Sequence, residues 1–297
     1  MLDKLSFDEL RNVPEYTSYP KSFKNYKWYK PLIVGILTII IFLIIMVLVS
    51  YIATMIPGSG GMIGLLRMER GGYDALNAYS ILGLASILII GLITPALYIS
   101  NRIINYRPFS SYCSSRNGWN WRIFFKTLGL SLLIYAILGI IISMIDGFKI
   151  NNHFTILTFI LALIIIPFQC VGEEFFMRGY VMQTIGSWIS VPIIAIIVQS
   201  LFFTVLHPYN SLGVITVLIT GILLGFITYF TKGIEMSSGI HSANNLSSFI
   251  FAGLGLSHVA TNITMNNFII DIVSVLIAVS LTYYVSKKLG WFKEETH

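Results

Sequence analysis

Eight stretches of mostly apolar residues recur along this chain of 297, at 32–56, 80–100, 123–145, 154–172, 192–207, 212–231, 240–256 and 267–286. A helix needs about 20 such residues to cross a bilayer, so eight crossings take up about 160 residues, just over half the chain. The composition agrees: 56% of residues are hydrophobic and 11% are charged, against ~25% charged in a soluble domain. That leaves too little polar surface for a water-soluble ball and excludes a disordered or collagen-like chain. The expected fold is all-α, a polytopic membrane protein of about eight helices. The fifth and seventh stretches are the weakest of the set, because both are short and the seventh carries Ser, Asn and His.

Charge sets an orientation. With the N-terminus in the cytosol and the helices alternating, sixteen of the nineteen Lys and Arg fall on the cytosolic side; Arg67, Arg70 and Lys149 fall on the other. Such a bias puts both termini in the cytosol of a multi-pass cell-membrane protein. It also accounts for the net charge of +6 without nucleic acid as a partner. Membrane lipids and a membrane-associated peptide or protein are the partners expected.

Residues 1–30 lack the form of a signal peptide. They read as a cytosolic segment ending in an aromatic and basic anchor, Tyr26-Lys27-Trp28-Tyr29-Lys30. Residues 31–150 hold the first three helices, 151–290 a core of the remaining five, and 291–297 a tail. Pro57 to Gly61 reads as a flexible external turn, and Met62 to Tyr79 as a candidate surface helix. Gly221-x-x-x-Gly225 is a small-xxx-small face for close helix packing. The two cysteines, Cys113 in a loop and Cys170 in a helix, are not expected to pair, and no Cys-x-x-Cys motif exists.

An ionised side chain inside hydrocarbon is expensive and needs a reason. Three segments supply candidates. Glu173 and Glu174 follow a nearly pure apolar run; Glu174 and Arg178 are i,i+4 and can pair, which frees Glu173 to face something else. His207 closes an apolar helix before Pro208. His241 and Asn245 are i,i+4 and can project from one face. Taken singly, the segments also fit a helix end in the headgroups, an interface histidine and an interhelical packing pair. His153, His258 and His297 receive no role. Together, a carboxylate, two imidazoles and an amide suffice to hydrolyse an amide bond: the glutamate takes a proton from water, and imidazole and amide donors hold the oxyanion. No Gly-x-Ser-x-Gly elbow points to a serine nucleophile.

Glu173-Glu174-x-x-x-Arg178, Phe203-x-x-x-His207 and His241-x-x-x-Asn245, in that order and each at a membrane helix, resemble the three-motif pattern of the CAAX prenyl protease family, which also covers the bacterial CPBP, or Abi, intramembrane proteases. The resemblance spans about residues 160–255 and implies roles. Glu173 is the general base, His207 helps hold the water, His241 and Asn245 form the oxyanion hole, and Glu174 and Arg178 orient them. It implies an intramembrane glutamic endopeptidase, often labelled a metalloendopeptidase, cutting near the cytosolic side. No cofactor is expected; zinc on Glu173, His207 and His241 is the alternative. Two other functions stay open: a non-enzymatic immunity protein against bacteriocins, and, ranked last, a transporter.

Plain alternation places His207 and His241 at opposite ends of the sixth helix. A shared site requires the fourth helix to continue past Glu173 to about Gly186, the fifth to climb back to His207, and residues 232–239 to fold into the bundle as non-helical backbone. The expected cavity is water-filled and opens to the cytosol.

Overall fold

A computed structural model describes residues 14–55, 79–116, 118–145, 147–257 and 262–292. The turn expected at 57–61, most of the surface helix expected at 62–79, and His258 and His297 lie outside the described residues. Within them the fold is all helical, with no β-strand; an isolated bridge joins Ser114 and Gly233.

Each of the eight apolar stretches is helical. The first is α1 (Lys30–Thr54). The second is broken at Leu92 into α2 (Ile81–Gly91) and α3 (Ile93–Ile104). A short α4 (Ser110–Cys113) follows, so Cys113 ends a small helix rather than lying in a loop; both cysteines are buried and free. Next come α5 (Trp121–Ile145) and α6 (Ile156–Glu174). A π-helical segment, Phe175–Met182, carries α6 without interruption into α7 (Gln183–Ile189). The last four are α8 (Pro192–Val205), α9 (Ser211–Thr231), α10 (Glu235–Gly253) and α11 (Met265–Lys288).

Six of these spans are long and apolar enough to cross a membrane, the longest being Ile156–Ile189 with 34 residues. The other two are the stretches that looked weakest in the sequence. At 14 residues, α8 reaches only about 21 Å, short of a ~30 Å hydrocarbon core. In α10 polar side chains replace much of the apolar surface, and most of that helix is buried against its neighbours. The chain is a membrane protein.

Successive spans run antiparallel, which creates two faces. On one, the terminal face, both described chain ends lie: Lys21 Nζ donates to Ser190 Oγ (2.6 Å), Trp188 Nε1 to Trp28 O (2.8 Å), and Phe292 packs under Arg116. On the other, the distal face, the backbone N–H groups of Asn151 and His153 donate to Leu254 O and Gly253 O, and Asn210 Nδ2 donates to Ile263 O. Two close helix approaches fix the bundle around the motifs. A Cβ on Gly172 would stand 2.8 Å from Gly91 Cα, so α2 and α6 touch backbone to backbone one residue before Glu173. The Gly221/Gly225 face packs on α8, against Ser200 and Ile196, as a small-xxx-small face does.

Buried polar groups cluster at the terminal face. Residues 14–29 lie across it, with Tyr16 fully buried and its hydroxyl donating to Tyr112 O (2.9 Å). Beneath them Arg107 is buried on the Tyr112 ring, 3.5 Å from its centroid, and donates to Gln183 Oε1. Beside them Arg116 Nη2 donates to Glu235 Oε2 (2.6 Å), while the Asn120 N–H donates to Glu235 Oε1 (3.1 Å).

Candidate active site

The geometric difficulty raised by the sequence is solved by helix continuation and one tight turn. Because the π-helical segment does not break the helix, the fourth span runs through to Ile189 and α8 returns from Pro192 toward His207. Residues 232–239 do not form the non-helical stretch expected. Only Lys232, Gly233 and Ile234 separate α9 from α10, with Lys232 in the left-handed region (φ 59°), where a chain can leave a helix and reverse at once. His241 therefore sits inside a helix, less than two turns below its start, rather than on an unwound segment.

Glu174 and Arg178 are fully buried in the interior and not in the headgroup zone. Arg178 Nη1 donates to Glu174 Oε1 (2.8 Å), the i,i+4 pair expected, and Nη2 donates to Gly221 O (3.2 Å). The guanidinium also lies 4.8 Å from the centroid of the Phe203 ring. His241 Nδ1 donates to the same Glu174 oxygen (2.9 Å). Glu174 thus carries two charged or dipolar donors on one oxygen, and that commitment fixes the imidazole. The other ring nitrogen, Nε2, faces Asn245 Nδ2 at 3.3 Å and Glu173 Oε2 at 3.5 Å.

Glu173 differs from its neighbour in exposure and in lacking an arginine partner, although Glu174 Oε2 is likewise buried without a hydrogen bond. The Glu173 side chain is 14% exposed, and Oε2 accepts no hydrogen bond. Seven residues, about 10 Å of helix, separate it from Tyr180, whose hydroxyl donates to Pro31 O at the start of α1.

His207 is reached through Phe203, whose ring lies 4.6 Å from the His207 ring and 5.9 Å from the His241 ring, edge-on to both. His207 Nδ1 donates to Phe203 O (2.7 Å), leaving Nε2 as an acceptor. Both histidines, Asn244 and Asn245 line one cavity of about 410 Å³. It runs away from the terminal face, past Gly213 and Thr216, to Tyr209, Ser257 and Ile263 near the distal helix ends.

A zinc site on Glu173, His207 and His241 does not fit this arrangement. Among the described residues no three His, Cys, Asp or Glu side chains converge on a common point. The Asn245 amide, moreover, already faces His241 Nε2.

The sequence reading missed three contributors. Phe203 entered only as a motif letter, yet its ring joins the two histidines and the arginine. Asn244 lines the cavity beside Asn245. Asp271 lines it from α11, and as a lone carboxylate in an apolar run it carried the very signal that drew attention to Glu173.

These features define a membrane-embedded helical site of carboxylate, imidazole and amide. Residues 154–247 match the family described as Type II CAAX prenyl endopeptidase Rce1-like, and all of the residues from Glu173 to Asn245 lie within that match. The uncharacterized protein YyaK of Bacillus subtilis (strain 168) is 30% identical over 174 residues, 53% of this chain and 56% of that protein. The chain thus spans about half the length of the curated relative it matches. No solved structure matches.

Proposed function

We propose that the protein is an intramembrane endopeptidase in which Glu173 activates water. The observation that carries this reading is the contrast between adjacent carboxylates. Glu174 Oε1 accepts from Arg178 and His241, while Glu173 Oε2 accepts no hydrogen bond and stands 3.5 Å from Nε2 of His241, which lines the cavity. A general base needs that free lone pair. In the proposed reaction a water in the cavity gives a proton to Glu173, and its oxygen attacks the scissile carbonyl carbon. The oxyanion accepts hydrogen bonds from Asn245 Nδ2 and from a protonated His241 Nε2, whose charge Glu174 supports across the ring. His207 Nε2 accepts from the attacking water. Glu173 then delivers its proton to the leaving nitrogen as the C–N bond breaks. Every step uses this chain's own groups, and none is routed through a metal.

The substrate is a membrane-associated peptide or protein, cut within the bundle, and the basic-residue bias assigns the terminal face to the cytosol of a cell-membrane protein. A membrane-impermeant thiol reagent tests that orientation. Applied from outside, it reaches Tyr209→Cys and misses Lys24→Cys; the reverse pattern inverts the assignment. For the activity itself, the membrane proteomes of cells carrying the wild-type chain and Glu173→Gln are compared for a cleavage product lost in the variant. Full function of an inserted, stable Glu173→Gln protein would favour the immunity-protein reading instead. Loss of wild-type cleavage in chelator, restored by zinc, would make Glu173 a ligand or metal-assisted base.

A further inference from the structure

The cavity has a second polar wall that neither the motifs nor the family match includes, since it comes from α5 and α11, outside residues 154–247. Asp271 on α11 lines it, together with Asn267 and Ser274, which lie four residues before and three after it on the same helical face. Val275 and Ala278 continue that face into the buried core. Asp271 is therefore on the inward side of its helix, and its exposure is exposure to the cavity. Among the described residues no cation pairs with it. Opposite stands Tyr135 on α5, 7% exposed, with its hydroxyl buried and without a hydrogen-bond partner. An unpaired carboxylate and an orphaned buried phenol lining one cavity leave polar groups for a ligand to satisfy.

We propose that Asp271 and Tyr135 form a specificity subsite that receives a cationic nitrogen of the substrate. It rests on the peptidase reading only in taking that substrate to be a peptide. An ammonium or guanidinium gives Asp271 its counter-charge, and the Tyr135 hydroxyl donates to the same carboxylate or accepts from the cation. The nitrogen belongs either to a Lys or Arg side chain or to a free peptide N-terminus; both present the same chemistry. The subsite lies on the distal side of the Glu173–His241 cluster. It thus selects which segment of a threaded peptide stops with its scissile bond at Glu173.

The test uses the full-length protein in nanodiscs and a library of internally quenched apolar decapeptides. Each carries one Lys or norleucine at a scanned position and has a free or acetylated N-terminus. Binding is read by fluorescence with the Glu173→Gln protein, and cleavage with the Glu173 protein. The expected result is that one cationic member binds about 10- to 100-fold more tightly than its neutral twin. The scanned lysine and the acetylated series tell which nitrogen it is. Asp271→Asn collapses that ratio to within about twofold of one, Asp271→Glu keeps most of it, and Tyr135→Phe reduces it by a smaller factor. Thermal melts of each variant guard against misfolding, and the Asp271→Glu arm keeps the test decisive where Asp271→Asn folds poorly. A charge-dependent ratio that Asp271→Asn abolishes, with no cleavage by any protein, supports the subsite and removes the peptidase reading. Cleavage with no preference for a cation leaves the peptidase reading standing and overturns the subsite. So does an unchanged ratio in Asp271→Asn, or the absence of binding throughout.

Discussion

The two ends of this helical bundle handle buried polarity in opposite ways. At the terminal end every strong charge has a partner: Arg116 holds Glu235, and Arg107 lies on Tyr112 with Gln183 and the Gly179 carbonyl around its guanidinium. From the level of Glu173 toward the distal end, polar groups line a cavity, among them the Tyr135 hydroxyl without a partner and Asp271 without a paired cation among the described residues, although single buried atoms such as Arg107 Nε also lack partners at the terminal end. Satisfied polar groups lock helices in place, whereas unsatisfied ones beside a cavity are poised for a ligand or reaction. The boundary between the two lies near Glu173 and Glu174, consecutive residues pointing about 100° apart on one helix.

That boundary can be broken from either side. The largest effect is expected at Glu173→Gln, which keeps shape and removes the proton acceptor. Cleavage of the product identified by proteomics falls by about 10²–10⁴-fold, with melting little changed. Glu174→Ala strands Arg178 as an unpaired buried cation and frees His241. It is expected to cost about 3–5 kcal/mol of stability, read as lower thermal and denaturant midpoints in detergent; a normal midpoint would deny Glu174 its structural part. Asn245→Ala removes one donor from the hollow half and slows cleavage by about 10²–10³-fold, chiefly in kcat. An effect confined to KM would place the amide in binding. The smallest change is expected in the terminal half: Glu235→Ala destabilises by about 2 kcal/mol, because Arg116, 10% exposed, still reaches water. Its kcat in the folded fraction should match the parent protein, and a collapse there would erase the division between the two ends.

Much of this was legible in the sequence, for reasons that differ by residue. Apolar length gave the helices, because a bilayer imposes one length scale on every span. The Glu174–Arg178 pair followed from helical spacing alone, since four residues bring side chains together on any helix. The weakness of the fifth and seventh stretches showed in their length and polar content. Other features were not legible. The course of the cavity depends on how distant helices meet, and Arg107 and residues 14–29 gave no sign that they would be buried at the terminal face. Asp271 carried a local signal, but its relation to Tyr135 is a meeting of helices 136 positions apart in the chain.

By itself the sequence determined the class of fold, the helical register within each span and the residue types available for chemistry. These follow from hydropathy and a 3.6-residue period, both local quantities. Only the tertiary structure decided that Lys232 to Ile234 reverse the chain within three residues, that Phe203 brings His207 and His241 to one cavity, and that Glu174 Oε1 holds both Arg178 and His241. Those outcomes depend on how helices pack against one another, and packing sums contacts between residues far apart in the chain that no local pattern encodes.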